Sequence, residues 1–297
     1  MVSGISRGLT GWVAVGLTMV VAVGCRGRSV ESAGDADIQF LVDSLVPLVE
    51  ITVGLEFRSQ PQWAVRSPEQ LQAFLRNKLR EQLPPEILAG VESAYRLFGF
   101  IPDTLDLEAL FLKVLSEQVQ GFYEPDSATL FLVEDAPLGV RITLAHELVH
   151  ALQDQYLPLD SLMDPARPND QLMALQAILE GQAHRASMTL MAGDRVNEAG
   201  FWDLAAEQAR QITAREMPEV PLALREQLLF PYVDGARFME WWSTGALGDT
   251  MPYGPRLPVS TEQILHPTRY LAGDTPVALA FADSTDAVMY QDGLGEF

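Results

Sequence analysis

Cysteine is nearly absent from this chain, which has one cysteine among 297 residues. A single cysteine cannot form an internal disulfide, and it excludes a metal site rich in thiolates. Basic residues are also scarce, since 20 lysines and arginines stand against 40 aspartates and glutamates and give a formal net charge of -20. An acidic surface repels phosphate backbones and favours solubility, so we expect no nucleic-acid partner.

Two signatures of common enzyme classes are missing as well. The chain has no glycine-rich phosphate-binding motif, so no nucleotide ligand is expected, and no Gly-x-Ser-x-Gly motif of a serine hydrolase. The composition, 48% hydrophobic and 8% aromatic, is nonetheless that of a folded protein with a sizeable core.

The N-terminal apolar run, Leu9 to Val23, is shorter than the roughly 20 residues that a membrane-spanning helix requires. Together with the basic Arg7 before it, the run predicts a secretory signal peptide. The small residues directly before Cys25 resemble the lipobox of bacterial lipoproteins, in which that cysteine is lipidated. Alanine stands at position 22, where a lipobox usually has leucine.

This pattern predicts three parts of the chain. They are a signal peptide of the lipoprotein type over residues 1–24, a small polar tether over 25–37 and a single domain over 38–297. We therefore expect an exported protein that is anchored to the membrane of a bacterial cell envelope through a lipid on Cys25. Two alternatives stay open: an ordinary signal peptide that leaves a secreted protein, or an uncleaved anchor.

Hydrophobic spacing through most of the predicted domain is typical of α-helices. Ser67, Pro68 and Gln70 form a helix start with a capping box, which is one of several such signals along the chain. Two β-prone runs within residues 121–133 flank a turn-like segment, and they predict a hairpin directly before the next helix. The expected fold class is α+β, a mainly helical domain with a small β-sheet or hairpin.

The motif that indicates chemistry is His146-Glu147-Leu-Val-His150. Two histidines four positions apart on a helix project from one face, so both imidazoles can bind one metal ion. Glu147 is rotated by about 100° from His146 and can act as general base on a water at the metal. The chain has only four histidines, so chance is a poor explanation. Structural histidines, or a degenerate site without metal, remain the alternative.

A catalytic zinc site needs a third protein ligand. Glu180 is a carboxylate in an otherwise apolar helical stretch, where metal binding would offset the cost of burying it. Gly181 would let its helix approach the motif helix closely. His184, one turn further, is the rival ligand; otherwise we expect it to orient the ligands or to face substrate. Gln153 and Tyr156 stand where metzincins have glycine and histidine, which excludes that class.

Residues 146–154, taken with Glu180, resemble the gluzincins, the thermolysin-type clan of zinc metallopeptidases. The resemblance implies that His146, His150 and Glu180 bind one Zn2+ and that Glu147 is the base. Asp154 matches an aspartate that follows the motif in thermolysin, and its expected role is to support the ligands. Within the clan, the chain is similar to uncharacterised bacterial secreted proteins from about residue 38 to 279, through residues 117–123, 180–181 and 260–267 as well as the motif.

The residue that would stabilise the oxyanion cannot be aligned with thermolysin. His266, Tyr232 and Tyr270 are candidates because each lies in a proline-flanked, loop-like setting, and His266 is preferred as the second catalytic residue. In such enzymes an extended peptide pairs with an edge strand, a role that we expect for the hairpin.

The expected function is therefore a zinc metallopeptidase at the cell envelope, acting on a peptide or protein substrate. Two alternatives stay open. One is a non-catalytic envelope binding or assembly lipoprotein that retains the fold, and the other is a zinc hydrolase of a non-peptide amide or ester.

Overall fold

The computed structural model describes residues 16–19, 35–134, 140–164, 166–245, 247–248, 250–277, 292–293 and 295–296. The predicted signal peptide apart from residues 16–19, and most of the predicted tether including Cys25, lie outside the described residues.

Helices make up most of the described chain. In chain order they are α1 Asp35–Val53, α2 Pro68–Gln82, α3 Pro85–Leu97, α4 Leu107–Gln118, α5 Val140–Asp154, α6 Leu159–Leu162, α7 Asn169–Ala192, α8 Phe201–Glu216, α9 Leu222–Thr244, α10 Thr261–Leu265 and α11 Pro267–Ala272. The capping box at the start of α2 is confirmed, with Ser67 Oγ accepting from the Gln70 backbone N–H. The first helix begins at Asp35, inside the predicted tether. None of the described helices is both long enough and apolar enough to cross a membrane.

The sheet consists of β1 Gly16–Met19, β2 Gln62–Arg66, β3 Val119–Glu124 and β4 Thr129–Val133, in the order β1-β3-β4-β2. The predicted hairpin is confirmed, since β3 and β4 pair antiparallel around the turn at residues 125–127. Its predicted position at the sheet edge is wrong for the full chain, because β1 pairs with β3 and β2 pairs in parallel with β4. The expectation of a mainly helical α+β fold with a small sheet is confirmed.

The sheet separates two apolar cores, because successive side chains of a strand point to opposite faces. On one face Phe122 stacks on Phe131 and Phe74 within the core that contains α2, α3 and α4. On the other face Tyr123 and Leu130 join the core formed with α1, α5 and α7. The second core holds α5 against the sheet, so α5 is a rigid element on which ligands can be positioned.

Helices α7 and α9 approach each other at two glycines. A Cβ on Gly181 would lie 2.2 Å from the backbone carbon of Gly235, and a Cβ on Gly235 would lie 2.1 Å from the carbonyl oxygen of Ala177. Only glycine permits backbones this close. We expected Gly181 to let α7 approach the motif helix α5. This expectation is wrong, because the helix that Gly181 faces is α9.

Candidate metal centre

His146, His150 and Glu180 form one buried cluster between α5 and α7. His146 Nε2 lies 3.0 Å from Glu180 Oε2, and His150 Nε2 lies 3.4 Å from the same oxygen. The three side chains are at most 4% exposed, and their ligand atoms all lie within 4.8 Å of one another. The structure thus brings together the three residues that the sequence predicts as metal ligands.

The charges of the cluster favour a cation. Burial alone would raise the pKa of Glu180, but His150 and His146 outweigh it and lower this pKa to about 2. Burial acts to lower the pKa of His150, yet the negative charge of Glu180, with a smaller contribution from Glu147, raises it to about 9. For His146 the burial prevails, and its pKa is lowered. The ionised carboxylate of Glu180 therefore attracts positive charge to the space that it shares with the imidazoles of His146 and His150.

The donor set fits a metal ion in number, type and spacing. Ligands at about 2.0–2.1 Å from a tetrahedral metal lie about 3.3 Å from one another, close to the two histidine–carboxylate distances of 3.0 and 3.4 Å. His150 Nε2 is buried and, although Glu180 Oε2 lies 3.4 Å away, it makes no hydrogen bond of good geometry with the described residues. A buried nitrogen without a partner is uncommon, and metal coordination would satisfy it. The cluster could therefore hold a metal ion.

Glu147 lies on α5 between the two histidines and is fully buried. Its contribution to the pKa of His150 places its carboxylate within electrostatic reach of the ligands. A buried carboxylate that lies near the cluster without belonging to it is a candidate for a general base.

A hydrogen-bonded network that the sequence reasoning missed supports the cluster on the side of His150. His150 Nδ1 and Gln153 Oε1 lie 2.8 Å apart, at hydrogen-bond distance. Gln153 Nε2 in turn donates to the carbonyl oxygen of Leu179 at 3.0 Å and to Gln182 Oε1 at 2.9 Å. The hydroxyl of Tyr253 also donates to Gln182 Oε1. A signal for this network was available in the sequence. Gln153 is a polar residue three positions after the predicted ligand His150, and it lies on the apolar face of the motif helix.

The ring of Tyr232 lies between two histidines, His146 and His184. The ring of Tyr232, from α9, is 6.1 Å from the ring of His146 and 6.2 Å from that of His184. Tyr232 lies inside α9, not in the loop-like setting that the sequence predicts for it, because α9 continues through Pro231. His184 packs edge-on against Trp202 and does not join the metal cluster. Burial and the nearby charge of His146 lower the pKa of His184 to about 4, so it is neutral at pH 7.

Other predicted site residues lie elsewhere. Asp154 accepts a hydrogen bond from the Tyr123 hydroxyl at 2.8 Å, so it links α5 to β3, while Gln153 is the residue that contacts His150. His266 is exposed at the junction of α10 and α11, where it pairs with Glu296 at 2.8 Å instead of meeting the cluster. The Tyr270 hydroxyl donates to the carbonyl of Arg256.

An apolar cavity of about 60 Å³ has Tyr232 in its wall. Its lining comes from α2, α4, α7 and α9, and includes Val119 at the start of β3. Gln176, also in the lining, stands one helical turn before Glu180 on α7. Tyr232 therefore links the two features, since it lines the cavity and its ring neighbours that of His146, whereas the cluster residues themselves are not part of the lining.

Comparison of the chain with protein-family models, with curated proteins and with solved structures finds no match.

Proposed function

We propose that this chain is a zinc-dependent peptidase of the gluzincin type, in which His146, His150 and Glu180 bind one Zn2+. The observation that carries the proposal is the buried cluster of two imidazoles and one carboxylate, with Glu147 buried on the same helix. Zinc favours nitrogen and carboxylate ligands, and three protein ligands leave a fourth position open for reaction. A structural site has no use for a base beside its ligands.

Bound zinc would supply Lewis-acid activation and lower the pKa of an attacking water towards about 7. Glu147 takes a proton from the attacking water while the oxygen of that water bonds to the carbon of the scissile carbonyl. The same carboxylate then delivers the proton to the leaving nitrogen as the C–N bond breaks, so that one product ends in an amine and the other in a carboxyl group that carries the oxygen of water. Burial of Glu147 excludes bulk water from these transfers.

Tyr232 is the candidate that we propose for stabilising the oxyanion, in place of His266. Its ring adjoins that of His146, whereas His266 is exposed and paired with Glu296. A phenol hydroxyl on this side can donate a hydrogen bond to the oxygen that becomes negative as the carbonyl is attacked. The cavity beside Tyr232 is lined mainly by apolar side chains, so we expect it to prefer an apolar residue next to the scissile bond.

A peptide substrate would run along β3, which packs beside α5 at Gly121 and Thr143. In the full chain β1 pairs with this strand. Removal of the predicted signal peptide would take β1 away and leave the edge of β3 free to pair with an extended peptide. Export and a lipid on Cys25 would place this activity at the cell envelope.

The test is cleavage of a quenched-fluorescence peptide library by the zinc-loaded protein, compared with Glu147→Gln. We expect Glu147→Gln to keep its zinc and to lose about 10²- to 10⁴-fold in kcat/KM. If the zinc-loaded parent cleaves no peptide, the peptidase proposal fails. Turnover of a panel of amides and esters would then support the non-peptide hydrolase, and a protein that binds no zinc would support the binding lipoprotein.

A further inference from the structure

We propose that Gln153 is a positioning residue for the metal centre, because it sets which nitrogen of His150 carries the hydrogen and ties α5 to α7 beside Glu180. The inference rests on the proposed metal site. Gln153 is fully buried, so its amide depends on partners within the protein. It bonds on one side to the ligand His150 and on the other to Leu179, the residue directly before the ligand Glu180.

The orientation of the Gln153 amide is fixed by a group that cannot change its role. The backbone carbonyl of Leu179 can only accept a hydrogen bond, so the NH2 of Gln153 must face it. The reversed amide would bring Gln153 Oε1 against two acceptor oxygens, that of Leu179 and that of Gln182. The amide oxygen therefore faces His150.

Gln182 and Tyr253 stabilise this orientation on the side of the Gln153 amide that faces away from His150. Tyr253 is a partly buried phenol whose pKa is raised by burial, so its hydroxyl keeps the proton that it donates to Gln182 Oε1. The same oxygen also accepts a hydrogen bond from the NH2 of Gln153. The NH2 of Gln182 in turn donates to Met251 Sδ at 3.6 Å. Each donor group in this hydrogen-bonded network thus has an acceptor.

The consequence for His150 concerns its other nitrogen. Because Gln153 Oε1 only accepts, Nδ1 of His150 must carry a hydrogen whether the ring is neutral or charged. The neutral ring then has its lone pair on Nε2, which lies 3.4 Å from Glu180 Oε2 at the cluster. Hydrogen bonds of this kind behind a ligand typically contribute about 10- to 100-fold in metal affinity.

The experiment measures zinc affinity by chelator competition for the parent, Gln153→Met, Gln182→Met and Tyr253→Phe. Gln155→Met is the matched control, because Gln155 is two residues further along, bonds to the backbone of Arg58 and Ser59, and lies away from the cluster. We expect zinc affinity to fall about 10- to 100-fold in Gln153→Met and less in the two other network variants. The control should match the parent.

A second readout separates positioning from folding. In protein labelled with 15N at histidine, the His150 Nδ1–H should give a slowly exchanging proton signal with and without zinc, and Gln153→Met should lose it. Gln153→Glu keeps an acceptor for this hydrogen but loses the donor to Leu179, so it should retain the signal and bind zinc with intermediate affinity.

A folded Gln153→Met with the affinity of the parent, or with an unchanged Nδ1–H signal, would overturn the inference. If the parent itself binds no zinc, the proposed function fails, and the proton signal still decides whether Gln153 sets the hydrogen on His150.

Discussion

Substitution of Gly235 by alanine tests how closely α7 and α9 pack. The added Cβ would lie 2.1 Å from the carbonyl oxygen of Ala177 and 2.9 Å from its carbonyl carbon, both of them backbone atoms that cannot rotate away. Ordinary contact begins near 3.4 Å, so the two helices would have to separate by about 1 Å.

The magnitude follows from two opposing effects. Overpacking of a rigid contact costs up to about 3 kcal/mol, and the better helix propensity of alanine returns about 1 kcal/mol. We therefore expect Gly235→Ala to lower the free energy of unfolding by about 2 kcal/mol. In a protein of 297 residues, whose entropy of unfolding is about 0.6 kcal/mol/K, that corresponds to a fall in Tm of about 3–4 °C.

The same displacement should affect activity more than zinc binding. Tyr232 lies one turn before Gly235 on α9, whereas the three proposed ligands lie on α5 and α7. Moving α9 outward draws Tyr232 from His146 and leaves the ligands together, so kcat should fall while zinc is retained.

The assay is chemical denaturation with kinetics on the same preparation. Gly293→Ala is the control, because nothing lies within 4 Å of a Cβ at that position and its φ is not positive. A Gly235→Ala protein as stable as the parent would refute the close approach.

The two candidates for the oxyanion role make opposite predictions. Tyr232→Phe should lower kcat about 10²- to 10³-fold at unchanged zinc content, because it removes one hydrogen-bond donor from the developing charge; steady-state kinetics with metal analysis of the same sample check this. His266→Ala should leave both kcat and zinc content at the values of the parent, because its ring pairs with Glu296 at the surface; a loss of activity comparable to that of Tyr232→Phe would return the role to His266.

Local signals in the sequence predict much of the helical framework. The capping pattern at Ser67 and the hydrophobic spacing of each segment depend on neighbours a few positions away, so they are visible before folding. The motif spacing of His146 and His150 is likewise a property of one helix. The carboxylate of Glu180 was visible because its charge is out of place in an apolar stretch.

What the sequence does not predict is set by contacts between distant segments. The parallel pairing of β2 with β4 joins strands more than sixty positions apart, and no local pattern marks it. The contact between Gly181 and Gly235 depends on which helix becomes the neighbour. The place of Gln153 on the apolar face of α5 is visible in the sequence, but its partners are not, because they depend on α7 placing Leu179 opposite it.

The most direct test of the proposed metal centre is the zinc content of the purified protein, measured by mass spectrometry for the parent, Glu147→Ala and Glu180→Ala. We predict close to one zinc per chain in the parent and in Glu147→Ala, and much less in Glu180→Ala, because Glu180 contacts both imidazoles whereas Glu147 is the proposed base and not a proposed ligand. A parent protein that remains metal-free after zinc is added would contradict the proposed zinc site and, with it, the proposed peptidase function.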